Sequence, residues 1–505
     1  MSENAAPAEE LDLVLINPGG RDMVYQELGA ELTAVEPPLW CRLLASHVRR
    51  SGHTVRIIDS EAENWGPEAV AAEVAALAPR LAAMVVFGHQ PSASTQMMSG
   101  ASATCRAIKE RVSEQKLIIL GGHVSALPER TLREEPVDFA AVGEGAVTLR
   151  QLLDLLRSDE PWKLDDVAGL AFRREGDIVI NPVPALITDL DRDLPGDTWD
   201  LLPMHRYRAH NWQCFGELER RVPYASIYTS LGCPYKCAFC CINAPFGKPN
   251  YRMRSAQAVV GEIEHLYRAY GVRTFKIIDE LFVLNDRHVR GICEALVARG
   301  FADELNIWAY ARPDTVRPEQ LALLRRAGIR WLALGIESGS KRVRDEADKS
   351  LKSDDIRGIV EQIQKAGIHV IGNYIFGLPE DDFESMRETL ELAKELNTEF
   401  ANFYSAMAYP GSRLYDTAIE LQWELPDTWS GYSQHSYDAK PLPTKHLVAR
   451  DVLSFRDAAF VEFFTSARYL DMIKQRFGQE TRQHIEVMTR HKLRRKLLEQ
   501  PTLAA

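Results

Sequence analysis

Short apolar runs, each closed by glycine or a polar residue, recur through the first third of the chain. Leu11 to Pro18, Thr54 to Asp59, Leu81 to Gly88, Lys116 to Gly122 and Phe139 to Gly143 read as buried parallel strands. Helical stretches separate them: Leu39 to Ser51, an Ala-rich one from Pro67 to Leu77, and one reaching about Val112. Strands alternating with helices predict a doubly wound, Rossmann-like parallel sheet over residues 10–150. Such sheets bind ligands outside the carboxyl ends of their strands.

From 151 to 215 the pattern is mixed. A helix over Leu149 to Arg157, two short strands (Gly169 to Phe172, Ile178 to Ile180) and the turn-rich run Asp189 to Gly196 read as an ordered linker across two domains. Residues 216–424 alternate again. Tyr224 to Tyr228, Thr274 to Glu280, Leu305 to Arg312, Trp331 to Gly339, Val370 to Pro379 and Ala401 to Ala406 are the expected strands. Helices intervene at Ser255 to Tyr270, Pro318 to Ala327 and Ser353 to Ala366, which predicts a partial β/α barrel of six strands. From Leu425 the pattern turns helical, with Val452, Phe455, Ala459, Phe463 and Ala467 on one stripe. Basic residues at His491 to Lys496 read as a solvated helix end.

A chain of 505 residues suggests two or three domains. Its net charge of −11 argues against nucleic acid as the main partner. No apolar run is long enough to span a bilayer, and Met1 to Glu10 is small and acidic rather than signal-like. Eight cysteines, scattered or gathered in one loop, fit a reducing cytoplasm better than a disulfide scaffold.

The gathered cysteines carry the chemistry. Cys233, Cys237 and Cys240 stand at C-x-x-x-C-x-x-C, directly after the Tyr224 strand. Thiolates suit iron–sulfur clusters, and three of them can hold three irons of a four-iron cluster, leaving the fourth open to a small molecule. Structural zinc would want a fourth ligand, and no second C-x-x-C exists. Cys241 reads as packing, and Cys214 as a buried or free thiol. No cysteine follows Cys293, so the C-terminal region holds no cysteine-ligated second cluster.

This spacing, with aromatic Phe239 before the third cysteine, resembles the radical S-adenosylmethionine (SAM) superfamily. The resemblance implies one [4Fe-4S] cluster whose open iron binds SAM. It implies that Phe239 packs by the adenine, that Asp279 and Glu280 meet the methionyl amine, and that Arg312, Glu337 and Ser338 contact the rest of SAM. The loops that end the first sheet's strands add a second likeness. Glu36-Pro37-Pro38-Leu39, Gly52-His53-Thr54-Val55, Gly121-Gly122-His123 and Gly143-Glu144-Gly145 resemble the cobalamin-binding domain of cobalamin-dependent radical SAM enzymes. Corrin contacts are then expected from Asn17, Pro18, His89, Gln90, Ser92, Ser94, Thr95, Gly121, Gly122, His123, Gly143, Glu144 and Gly145. The D-x-H-x-x-G motif that ligates cobalt in many cobalamin domains is missing: the loop reads Asn17-Pro18-Gly19-Gly20-Arg21-Asp22. His89 is read as a corrin contact or loop packing rather than as that ligand.

What the family resemblance implies is a C-methyltransferase acting on an unactivated carbon. One SAM methylates cobalamin, a second yields the 5′-deoxyadenosyl radical, and the substrate radical takes the methyl group. The substrate would be a small molecule or lipid, and flavodoxin or ferredoxin the electron donor. A cobalamin-dependent cyclase or rearrangement enzyme is the nearest alternative. A cobalamin-binding regulator or sensor with a vestigial barrel is the alternative of another class.

Overall fold

The computed structural model describes residues 10–26, 33–158, 163–351 and 355–499. Residues 1–9, which include most of the acidic N-terminus, and 352–354, which include the start expected for the helix from Ser353, lie outside that set. The first sheet has seven strands in the order β2-β1-β3-β4-β5-β6-β7. They are β1 Leu13–Asn17, β2 Val55–Asp59, β3 Leu81–Val85, β4 Leu117–Leu120, β5 Phe139–Ala141, β6 Leu170–Arg174 and β7 Asp177–Ile180.

β1 to β5 are parallel, and alternate residues point to opposite faces. Leu13, Leu15, Ala83 and Leu120 pack under helices Leu39–Arg50 and Ala146–Arg157. Val14, Ile16, Met84 and Ile119 pack under Pro67–Leu77 and Ala93–Arg111. This is the expected doubly wound core. The two strands read as part of a linker instead extend this sheet, pairing antiparallel with β5 and with each other. Their short runs beside Gly176 suit a hairpin on an existing edge, which a linear reading could not place.

The second sheet is a six-stranded partial barrel, ordered β15-β14-β13-β12-β11-β8 and parallel throughout. Its strands are β8 Tyr224–Ile227, β11 Thr274–Ile277, β12 Asn306–Ala311, β13 Ile329–Glu337, β14 His369–Phe376 and β15 Phe400–Ser405. Between β8 and β11, β9 Ser230–Leu231 and β10 Arg252–Met253 form a small antiparallel pair that carries the cysteine loop. Residues 425–448 run in turns around one short helical stretch, Trp429–Tyr432, rather than as the expected helix. Helices Ala449–Phe464 and Ala467–Met488 then pack Phe463, Tyr469 and Ile485 into the barrel core. Ala467 starts the second of these helices and is exposed, so the apolar stripe ends at Phe463.

A buried arginine fixes the two sheets to each other. Arg42, on helix Leu39–Arg50, donates to Gly196 O at 2.6 Å and to Ser226 O of β8 at 2.8 Å. It also pairs with Glu262 at 3.1 Å and stacks on Trp199 at 3.5 Å. A guanidinium this buried is tolerated because partners meet it in its own plane and on its face.

Candidate active site

The cysteine loop leaves the carboxyl end of β8, which is held from below. Asp279, just past β11, accepts from Thr229 N at 2.6 Å, from Thr229 Oγ1, and from Ser230 Oγ at 2.7 Å. Gly232 has φ +87°, and a Cβ there would lie 2.4 Å from the Asn250 side chain, so only glycine turns the chain at this point. Further on, Ala238 N bonds Ala347 O at 2.9 Å, and Leu414 N bonds Ala238 O at 2.8 Å. The loop is thus pinned to the barrel on both sides.

Cys233, Cys237 and Cys240 are free, half-buried thiols. Burial pushes Cys233 up to about 11 and raises Cys240 as well. Two cations flank them. Arg312 Nη1 lies 4.0 Å from Cys237 Sγ, with its guanidinium 4.0 Å over Tyr235, and Lys349 sits near Cys237. Among the described residues no three His, Cys, Asp or Glu side chains converge on one metal ion. Three thiolates of a four-iron cluster bind three different irons, so convergence on a point is not required of them. Free thiols on one pinned loop, with cations alongside, fit such a cluster.

A cavity of about 770 Å³ begins at Phe239 and Cys240 and runs between the two sheets. Its first-domain wall is the β1 loop, Asn17 to Arg21, and the β3 loop, Gly88 to Ala93. Its barrel wall carries Trp308, Tyr310, Asn373, Asn402 and Tyr404. The glycine-rich strand ends, and His89 Nδ1, buried without a hydrogen bond and 3.8 Å from Glu36, suit a large polar-edged cofactor.

The expected cobalamin contacts divide sharply. Asn17, Pro18, His89, Gln90 and Ser92 line the cavity, and Gly122 lines a small adjoining one of about 50 Å³. Ser94, Thr95, Gly121, His123, Gly143, Glu144 and Gly145 line neither. Ser94 Oγ bonds Val86 O and accepts from His123 N. His123 Nδ1 lies 3.3 Å from Thr95 Oγ1, and its ring meets Trp429 edge-on at 4.4 Å. A Cβ on Gly121 would strike Val86 O, and one on Gly145 would strike Leu120. Gly143, at φ +99°, lies against Val183. Glu144 pairs with Arg252 at 2.8 Å and accepts from Ile187 N.

The expected SAM contacts divide too. Glu280 lines the small cavity, and its carboxylate has no hydrogen bond or ion pair among the described residues. Burial, and then neighbouring Asp279, raise it to about 8. An ammonium group there would reverse that shift. Asp279 has its oxygens taken by Thr229 and Ser230. Glu337 lines the large cavity at φ +65° and pairs with Lys349 at 2.7 Å. Ser338 is fully buried against Thr389 and caps Ser340 N. Arg312 is engaged by Asp314, Ser350 O and Tyr235.

Sequence reasoning missed the cluster where the sheets meet. Glu36 precedes the first-domain helix and pairs with Lys276 of β11 at 3.1 Å, while Tyr224 of β8 donates to it at 2.7 Å. His89 and His210 lie close by, each lowered to about 4 chiefly by burial. A lysine inside an otherwise apolar strand was the signal available. The tail was missed as well: His491 to Leu493 line the cavity, and Arg495 is buried on Asp457 instead of solvated. Cys241 is buried and borders both cavities, and Cys214 is buried. No helix among the described residues is long and apolar enough to cross a membrane.

Comparison with known proteins agrees with this geometry. Residues 26–153 match the B12-binding domain and residues 227–393 the radical SAM superfamily. An uncharacterized methyltransferase of Pyrococcus horikoshii is 29% identical, over 86% of this chain and 89% of its own. The anaerobic magnesium-protoporphyrin IX monomethyl ester cyclase of Cereibacter sphaeroides is 26% identical over 85% and 67%. The fold is shared with TsrM of Kitasatospora setae, a radical SAM methyltransferase solved with tryptophan substrate and a SAM analog. That match has a TM-score of 0.67 and 16% identity, over 95% of this chain and 98% of that one. With both domains present and joined in this fold, the chain belongs to the cobalamin-dependent radical SAM enzymes.

Proposed function

We propose that this enzyme is a C-methyltransferase that acts on an unactivated carbon of a small molecule. The observation that carries the reading is the single cavity joining the β1 and β3 loops of the first domain to Phe239 and Cys240 of the cysteine loop. When bound, the cluster with SAM supplies a radical that removes substrate hydrogen, and cobalamin supplies the methyl group. The protein's own part is positioning. Cys233, Cys237 and Cys240 hold the cluster, with Arg312 and Lys349 offsetting thiolate charge. Glu280 is the free carboxylate for the methionyl ammonium, and Phe239 faces the cavity as a stacking surface. Asn17 to Gly20 and Gly88 to Ser92 cradle the corrin. The Asn17 amide is already held by Asp59 at 2.8 Å, so its orientation is set before any ligand arrives.

A second reading has its own support. Cyclases resemble the chain over most of its length, and the same cavity would serve ring closure. The test is anaerobic reconstitution with iron, sulfide and cobalamin, then deuteromethyl-SAM, reductant and candidate substrates. Label in the recovered corrin together with 5′-deoxyadenosine is the expected result. 5′-Deoxyadenosine without label shifts the assignment to a cyclase. Neither product, with both cofactors demonstrably bound, sinks the proposal. Cys237→Ala should lose cluster iron and 5′-deoxyadenosine formation while keeping its far-ultraviolet circular dichroism.

A further inference from the structure

The two ends of the large cavity are charged differently. At the cysteine loop, Glu337 and Lys349 pair one to one. Under the C-terminal region, two guanidiniums share one carboxylate. Arg495 grips Asp457 through two bonds of 3.0 Å and gives its third nitrogen to Ser436 O at 3.0 Å. Arg456 Nη1 reaches the same carboxylate at 2.7 Å, and its Nε donates to Phe403 O at 2.8 Å. Its Nη2 makes no hydrogen bond among the described residues. Both arginines are buried, at 6% and 2% exposure, and Arg456 and Asp457 line the cavity. Asp457 is matched by the fork of Arg495, which leaves the charge of Arg456 in excess.

Among the described residues no second carboxylate pairs with either arginine. His435 lines the cavity and stays neutral, lowered to about 3 by burial and then by Arg456 and Arg495. Its Nδ1 is buried without a partner, and so is Ser405 Oγ at the end of β15. Gln434 holds Ser405 in place through two backbone bonds of 2.9 and 2.8 Å. Lys492, on the exposed rim, adds a further positive charge. An excess buried cation and unbonded polar atoms each cost free energy unless a ligand supplies their partner. A carboxylate or similar oxyanion would satisfy them together, because it accepts from guanidinium, hydroxyl and imidazole N–H alike.

We propose that this end of the cavity is an anion subsite, and that the substrate is an acid whose oxyanion rests on Arg456, Ser405 and His435. Only the word substrate depends on the proposed function; the subsite stands on its own geometry. Tyr404, Tyr409 and Trp308 also line the cavity, so the body of the acid is apolar and planar enough to lie against rings.

The test is calorimetry of the cofactor-loaded protein with naphthalene-2-carboxylate and its uncharged amide, naphthalene-2-carboxamide. The acid should bind about tenfold tighter or more, the scale of a charged hydrogen bond. Arg456→Gln should abolish that preference. Asp457→Asn removes the shared negative charge, so it should tighten the acid and leave the amide unchanged, a sign that packing damage would not give. Ser405→Ala removes a hydroxyl without a protein partner, and it should weaken the acid alone even if Arg456→Gln fails to fold. Equal affinities, no binding by either probe, or a preference surviving in Arg456→Gln overturns the subsite. 5′-Deoxyadenosine formation is followed in the same preparations. In the unsubstituted enzyme, no preference for the acid with that chemistry intact defeats the subsite alone, and a preference for the acid without that chemistry defeats the proposed function alone.

Discussion

The parallel strands of the two sheets present the same kind of edge to the space between them, a row of polar strand ends, and they use it differently. In the first sheet the β1 and β3 loops line the cavity mostly with backbone and uncharged side chains, and Arg21 there is paired with Glu61 from the end of β2. The β4 and β5 loops, equally rich in glycine, are filled by Val86, Leu120, Val183 and Trp429. The barrel edge is charged: Glu337 pairs with Lys349 and Arg312 with Asp314, whereas Glu280 has no partner among the described residues and Arg456 shares Asp457 with Arg495. An open loop without an unmatched charge accommodates a bulky cofactor. A fixed charge without its own partner marks where a charged group of a ligand fits. A polar strand end therefore signals a site only when its atoms are left unengaged.

The seam between the edges gives the largest expected effect. Glu36→Gln strands Lys276 in a buried position and should destabilise the apoprotein by about 3–5 kcal/mol in urea unfolding. Adding Lys276→Met should restore much of the loss, and failure to do so would mean that the pair does not join the sheets. Next comes the open loop. A Cβ on Gly100, in helix Ala93–Arg111, would lie 1.8 Å from Gly19 O. Gly100→Ala should therefore cost about 1–3 kcal/mol and reduce cobalamin retained through gel filtration. Lost stability with full retention would remove the β1 loop from the corrin site.

The smallest effect probes a closed loop. His123 is lowered to about 3 by burial and then by Arg130. The unfolded chain protonates this imidazole below about 6.5 while the folded chain does not. Its contribution is therefore full above 6.5 and is lost as pH falls toward 3. Thermal unfolding from pH 7 to 4.5 should show a decline that His123→Gln flattens by about 1 kcal/mol near pH 5.8. An unchanged profile would mean that the β4 loop is open after all.

Much of the fold was legible because its signals are local. Apolar runs bounded by glycine gave the strands of both sheets, and helix Pro67–Leu77 was expected at its own bounds. The cysteine loop was legible for the same reason: its three thiols lie within eight residues. The site was half legible. Asp279 and Glu280 are identical signals in a sequence, and only Thr229 and Ser230, some fifty residues earlier, decide which carboxylate is engaged. Gly121 and Gly88 both sit where a Cβ would clash, on Val86 O and on Ala93, yet only Gly88 borders the cavity. Strands β6 and β7 were misplaced in a linker because an edge hairpin is specified by the strand it joins.

By itself the sequence determined the two parallel sheets, the order of the domains and the three thiols, since each rests on periodicity or spacing along a short stretch. Tertiary structure decided which polar groups remain unengaged. It set Arg42 and Glu36 at the seam, brought His491 to Leu493 onto the cavity, and gave Arg456 and Arg495 one carboxylate to share. Those outcomes depend on residues tens to hundreds of positions apart meeting in a low-dielectric space, where a partner's presence or absence fixes what each charge can do.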